Sequence, residues 1–290
     1  MSSTTADRDA TRLRVRTSLA NSGLAQREIA RRIGLDETKL SKALNGTRRF
    51  TAAELVQIAN TTGITVNWLL SGSDYAQGPA AVPATEVLPT RHRENREQAA
   101  RRREIVQASW RLIAAKGYHG VRVADIATVC GVSSATVHYY FATKRQILDE
   151  ALRYSIKLAF DRQVAELPAI EDPLRRLKHL IRLQLPTPGD GQIEWSIWLQ
   201  IWNEVAVGGA SAENHGQGYD RWYKTVLETI TAGQRQTLFS STSADHLTME
   251  LTAMFDGLGI RVLTGQLDVA GMQEHVERYI DRNIVIGSIE

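Results

Sequence analysis

Residues 125–141 read DIATVCGVSSATVHYYF, and residues 28–44 read EIARRIGLDETKLSKAL. Laid over one another at an offset of 97 positions, Ile126 falls on Ile29, Ala127 on Ala30, Gly131 on Gly34, Val132 on Leu35 and Val137 on Leu40. In each copy an Ile-Ala pair and the residue before the glycine, Ile33 or Cys130, share one face of a short helix. Gly34 or Gly131 ends that helix in the left-handed conformation, which glycine adopts without steric cost. An apolar residue then plugs the turn into a core, and Asp36 or Ser133 offers a side-chain oxygen to cap a second helix. That helix buries Leu40 and Leu44 in one copy, Val137 and Phe141 in the other, and turns its remaining residues outward. The pattern is a helix-turn-helix written twice, and in DNA readers the second helix of this motif enters the major groove.

The charge of the chain divides in a way that suits such a role. Residues 1–148 carry 22 Lys+Arg against 12 Asp+Glu, a surplus of +10, while residues 149–290 carry 13 against 20, a deficit of −7. A basic half joined to an acidic half points to a polyanion as the partner of the first 148 residues. The 290 residues allow two or three domains. No apolar run approaches the roughly 20 residues that span a bilayer, and the N-terminal segment lacks the apolar core of a secretory signal, so a cytoplasmic protein is expected. The one cysteine, Cys130, excludes an internal disulfide and takes a core position in the alignment. No metal and no cofactor are expected: HExxH, GxSxG and a Gly-rich phosphate loop are missing from the sequence, and the seven histidines show no paired ligand spacing.

Around the first copy, residues 13–72 give five short helical periods, with Thr51 and Glu54 spaced as a capping box and Thr65 placed to cap the last helix. This segment, roughly residues 11–72, resembles the phage-repressor-like helix-turn-helix family often called XRE. The matching features are Gln26 opening the second helix, Gly34 in the turn, Asn45-Gly46 after the recognition helix and Trp68-Leu69-Leu70 at the end. The resemblance implies that Gln26 bonds a backbone phosphate and that Glu37, Thr38, Lys39 and Lys42 face bases or phosphates, with Arg48 a further DNA-binding candidate. Glu37 stands where the family often has Gln. A carboxylate there can accept from a cytosine amine but is repelled by phosphate.

Residues 102–152 around the second copy resemble the DNA-binding domain of TetR-family regulators. The likeness lies in Lys116-Gly117-Tyr118 closing the first helix, the turn Gly131-Val132-Ser133, the end Val137-His138-Tyr139-Tyr140-Phe141 and Lys144 opening the next helix. Thr143 and Gln146 have capping-box spacing, which places Lys144 at a helix N-terminus where a cation and free amides can hold a phosphate together. By the resemblance, Ser134, Thr136 and Tyr139 face the groove, while His138, Tyr140 and Lys144 grip the backbone. Arg122 stands where the family usually has a capping Thr, a trade of cap for phosphate contact.

Between the copies, residues 73–100 hold three of the seven prolines and read as a semi-flexible tether. A coil of that length spans roughly 30 Å, close to one turn of DNA, so one chain could set two readers on adjacent grooves. The run Arg91, Arg93, Arg96, Arg101, Arg102 and Arg103 reads either as an arm for a minor groove or as a solvated helix start, since glutamates are interleaved.

From Lys144 onward every segment has the 3.6-residue period. Helices are expected to about Glu166, from Asp172 with Pro173 in its first turn, over about Ile193–Val207 and Tyr219–Gln234, after a cap at Ser243, and through Met272, Val276, Tyr279 and Ile280. The fold class is therefore all-α: a five-helix repressor-like domain over residues 1–75, a linker over 76–100, a three-helix TetR-like reader over 101–150 and a helical effector and dimerisation domain over 151–290. The last region resembles TetR-type regulators loosely, through WLQIWNEV and FDGLGIRVLTG, and in that family the last two long helices form a four-helix dimer interface. Gly257 and Gly259 suit either that interface or packing within one subunit.

Trp195, Trp198 and Trp202 fall at i, i+3 and i+7, with Trp222 and Tyr223 on the next helix. They form either a core stripe or the wall of a ligand cavity anchored by Asn203 or Glu204. TetR-like proteins hold an effector in such a space, which implies a small hydrophobic or aromatic ligand here. The sequence thus predicts a homodimeric, ligand-responsive transcription factor, a repressor of double-stranded operator DNA with two readers per chain. The alternative is a TetR-type regulator whose first copy docks protein.

Overall fold

A computed structural model describes residues 3–73, 96–207 and 212–286 of the chain. Most of the tether, including Arg91 and Arg93, lies outside them. The regular structure of the described residues is helical, with one isolated antiparallel bridge between Phe239 and Val285. The helices are α1 (Ser3–Asn21), α2 (Gln26–Arg32), α3 (Glu37–Leu44), α4 (Ala52–Thr62), α5 (Val66–Ser71), α6 (Arg96–Lys116), α7 (Val123–Cys130), α8 (Ser134–Tyr140) and α9 (Lys144–Glu166). They continue with α10 (Pro173–Leu183), α11 (Asp190–Ala206), α12 (Ala212–Arg235), α13 (Ala244–Leu263) and α14 (Val269–Tyr279).

The chain divides into two compact units, Met1–Ala108 with Val123–Glu166, and Ser109–Arg122 with Leu167–Glu290. The first contains both helix-turn-helix copies. Its N-terminal core gathers Val15, Ile29, Leu40, Ile58, Val66 and Leu69, all buried, at the spacing the five short periods require. Thr51 and Glu54 complete the expected capping box, and Thr65 Oγ1 accepts the Trp68 amide at 3.1 Å.

The second unit is built around Leu177, Leu180, Ile181, Leu251, Phe255, Met272 and Val276, which are inward on α10, α13 and α14. Asp172 caps α10 by accepting the Arg175 amide at 2.6 Å, and Ser243 caps α13. α11 begins three residues earlier than the Trp stripe suggests, at Asp190, and α12 begins at Ala212 rather than near Tyr219. Gly259 on α13 lies under Trp195. A Cβ there would overlap the indole, so this glycine serves packing inside one subunit, whereas a Cβ on Gly257 would meet nothing within 4 Å.

Candidate DNA-reading surfaces and aromatic cluster

The two turns are superimposable in their bonding. Gly34 has φ +69° and Gly131 φ +63°. The Leu35 amide donates to Ala30 O at 2.9 Å, and the Val132 amide donates to Ala127 O at 3.0 Å, the closing bonds of a Schellman end in each copy. Asp36 Oδ1 accepts the Lys39 amide at 2.7 Å and Ser133 Oγ accepts the Thr136 amide at 3.0 Å, so both second helices start on a side-chain cap. A Cβ on either turn glycine would find nothing within 4 Å, so the backbone angle, and not crowding, demands glycine.

On α3, Leu40 and Ala43 are buried while Glu37, Thr38, Lys39 and Lys42 are exposed, and Gln26 is exposed at the start of α2. Glu37 lies 3.7 Å from Arg27 across the turn, so its charge is partly answered on the same surface. Arg48 is placed differently. Its guanidinium holds both oxygens of the buried Glu54, at 2.9 and 2.5 Å, which ties it to the capping box of α4.

On α8 only Val137 is buried; His138 and Tyr139 are exposed, Tyr139 with 71% of its surface, and Ser134, Thr136 and Tyr140 are half-buried. The rings of Tyr139 and Tyr140 meet edge to face at 5.1 Å. The Thr136 hydroxyl lies 2.9 Å from Ser133 Oγ. Arg122 is exposed, and Lys144 opens α9, where Thr143 Oγ1 accepts the Gln146 amide at 3.1 Å. Within the arginine run, Arg102 turns inward. It bonds Glu150 at 3.3 Å and lies 4.8 Å over the Phe141 ring, which fastens α6 beneath the second reader. Arg101 pairs with Glu104 at 2.6 Å on the surface.

In the second unit the tryptophans gather as the stripe requires and draw in residues that the spacing alone did not mark. Trp195 lies 5.5 Å from Phe255 and 6.4 Å from Trp202, Trp198 lies 6.3 Å from Trp202, and Trp222 lies 5.6 Å from Phe255. Next to Phe255, Asp256 accepts a 2.6 Å hydrogen bond from Tyr219 Oη. Burial pushes the Asp256 carboxyl up to about 6, against the opposing pull of Tyr219. Trp195 Nε1 donates to Gln184 O at 2.7 Å, and the side-chain Nε2 of Gln184 is buried with no hydrogen-bond partner among the described residues.

The other candidates stand apart from this cluster. Asn203 is exposed. Glu204 is buried and 2.9 Å from His119 Nε2. Tyr223 Oη donates to Asp245 near the start of α13 at 2.9 Å. Sequence reading placed Phe255 on an apolar face but passed over Tyr219 and Asp256, a half-buried acid one residue from a core aromatic. Among the described residues no group of His, Cys, Asp and Glu is arranged to hold a metal ion, and no helix is long and apolar enough to cross a membrane.

Three family profiles match the chain: a general helix-turn-helix over residues 15–69, the bacterial regulatory proteins of the tetR family over 105–151, and the BetI-type transcriptional repressor C-terminal region over 173–285. A solved transcriptional regulator from Saccharomonospora viridis, in complex with choline, is 49% identical with a TM-score of 0.63, over 65% of this chain and 100% of that one. The chain is a TetR-family transcriptional regulator carrying a further helix-turn-helix at its N-terminal end. Among curated relatives of this TetR-family chain, the HTH-type transcriptional regulator BetI of Rhizobium meliloti is 27% identical over 57% of the chain and 78% of its own length. A TetR transcription regulator from Haloarcula marismortui, at 24% identity and a TM-score of 0.56 over 64% of this chain and 99% of that one, shares the fold. The all-α TetR-like architecture and the XRE-like N-terminal domain expected from the sequence are thereby borne out.

Proposed function

We propose that this TetR-family regulator represses transcription as a homodimer on double-stranded operator DNA, and that a small quaternary ammonium compound of the choline class adjusts its hold. The observation that carries the reading is the aromatic cluster with a half-buried acid next in sequence to Phe255, in a chain 49% identical to a choline-bound regulator. A quaternary ammonium cannot donate hydrogen bonds. It is recognised by aromatic faces and a nearby anion, each face contributing about 0.5–2 kcal/mol. Trp195, Trp202, Trp222 and Phe255 supply the faces, Asp256 supplies the anion, and the unpartnered Gln184 amide offers a donor to a hydroxyl such as that of choline. The acid turns the expectation of a hydrophobic or aromatic effector toward a cationic one.

Response to the ligand is supported by α11. The helix that carries Trp195 and Trp202 also holds the turn leading into the second reader, because Gln200 accepts the Tyr118 amide at 3.1 Å and Glu204 meets His119. Dimerisation is supported by α13, whose outer face leaves Met249, Ala253, Gly257 and Ile260 exposed in one stripe. In the cytoplasm the DNA contacts fall to Gln26, Glu37, Thr38, Lys39 and Lys42 on one reader and to Ser134, Thr136, His138, Tyr139, Tyr140, Lys144 and Arg122 on the other. A first copy that docks protein instead is favoured by one observation, the carboxylate of Glu37 at the exposed start of α3.

Calorimetric titration of the full chain with choline tests the effector half of the reading, and electrophoretic titration of operator duplex tests the DNA half. Saturable choline binding that weakens several-fold in Trp222→Ala supports the assignment. No heat with the folded wild type, or an unchanged constant in Trp222→Ala, rejects it.

A further inference from the structure

Lys157 and Asp161 lie one turn apart on α9, a spacing that on an exposed helix face makes a solvated ion pair. Here Lys157 retains 2% of its surface and Asp161 none. What covers them is the N-terminal domain. Lys157 Nζ donates to Asp161 Oδ2 at 2.6 Å and to Asn60 Oδ1 of α4 at 3.3 Å. Asp161 Oδ1 accepts the backbone N–H of Val66 at 2.6 Å, so a carboxylate from α9 satisfies a free amide at the N-terminus of α5. Burying two ions costs several kcal/mol each unless their remaining bonds are made, and making them fixes direction as well as distance.

The seat has an apolar part too. Val164 and Ala165 of α9 pack against the core of the N-terminal domain. The stem of Arg103 crosses Gly63, at φ +73°, where a Cβ would collide with it. Helices α4 and α5 are thus held by α9 and α6, the two helices that flank the second reader in sequence.

We infer that the first helix-turn-helix is seated on α9 by the Lys157–Asp161 pair, so that each chain presents its two reading helices at one fixed separation and recognises a composite half-operator of fixed spacing. This rests on the reading that both copies bind duplex DNA. The length of residues 76–100 then has no part in setting the spacing. A free tether would accept a range of spacings, above all those differing by a whole helical turn of about 10 base pairs.

The experiment uses the full chain and a duplex selected from random sequence, with 1, 2, 5 or 10 base pairs inserted between its two sub-sites. The expected result is a loss of about tenfold or more at 2, 5 and 10 base pairs alike, to the affinity of a duplex lacking the first sub-site. Ten Gly/Ser residues inserted after Gly78 leave that spacing preference unchanged. Recovery of affinity at 10 base pairs, or a preferred spacing that lengthens with the insertion in the chain, overturns the inference.

Asp161→Ala, which takes the carboxylate from the buried Lys157 and the acceptor from the Val66 amide, relaxes the spacing preference and speeds hydrogen exchange at that amide. The conservative change Asp161→Asn, whose side-chain oxygen can still accept the Val66 amide, retains more of the preference than Asp161→Ala does. If Asp161→Ala leaves both spacing and exchange as in the wild type, the seat is not what holds the reader. Removal of residues 1–73 with no change in affinity or footprint overturns the reading that both copies bind DNA, and the inference with it; spacing results that fail while this truncation weakens binding overturn the inference alone.

Discussion

Asp256 and Tyr219 face each other across α12 and α13 at 2.6 Å, an acid and a phenol on the two helices whose Phe255 and Trp222 rings meet at 5.6 Å. Burial leaves this carboxyl at about 6. The folded value lies above the unfolded one, so the neutral acid favours folding below about pH 4, and that contribution is lost as pH rises through about 6. Two expectations follow. Above pH 6, Asp256→Asn stabilises the protein measured without choline, by about 3 kcal/mol at most. Choline affinity of the wild type rises between pH 5 and 7 as the carboxylate forms, and that rise disappears in Asp256→Asn. Thermal unfolding at pH 8 and calorimetry across the pH range check both; a wild-type affinity flat with pH removes Asp256 from the site.

The turn glycines and Gly259 separate two kinds of cost. Gly34→Ala and Gly131→Ala meet no steric obstacle and pay only for the left-handed backbone, about 1 kcal/mol each. Gly259→Ala drives a methyl group into the Trp195 ring, an overpacking that costs about 1–3 kcal/mol or more and disturbs the aromatic cluster. Denaturant midpoints rank the three variants, and only Gly259→Ala is expected to weaken choline binding. Equal effects on choline binding would dissociate Trp195 from the site.

Reading-helix contacts are expected to separate by specificity. Thr136→Ala and Tyr139→Ala each weaken operator binding by about 1–3 kcal/mol where the side chain meets a base edge, with little change on random duplex. Arg48→Ala behaves otherwise. It leaves the buried Glu54 without its partner and lowers stability of the N-terminal domain, so loss of DNA affinity should track unfolding and vanish at low temperature. Paired titrations on operator and random DNA, with melting curves, distinguish the two behaviours.

Ile260→Arg places a charge in the exposed apolar stripe of α13 with little effect on the core of one subunit. Sedimentation is then expected to show a monomer at concentrations where the wild type forms the proposed dimer, with operator affinity reduced as the second half-site is lost. A dimer that survives the change locates the interface elsewhere.

The helix-turn-helix copies were legible because their signals are local. Gly34, Asp36, Gly131 and Ser133 each act within a few residues of chain, and spacing alone exposes them. The Trp stripe was legible for the same reason. What spacing could not reveal was contact between distant segments: the bond of Asp161 to the Val66 amide, 95 positions away, and that of Asp256 to Tyr219 leave no local signal. Arg102 and Arg48 likewise read as cations for phosphate, and only the fold turns them to Glu150 and Glu54.

The most direct test of the proposed effector control is the affinity of the full chain for its selected operator duplex with and without saturating choline, at fixed salt. A shift of about tenfold or more, absent in Trp222→Ala and Asp256→Asn proteins that still bind DNA, is the predicted result. An operator affinity that choline leaves unchanged, in a protein shown by calorimetry to be saturated with it, contradicts the account.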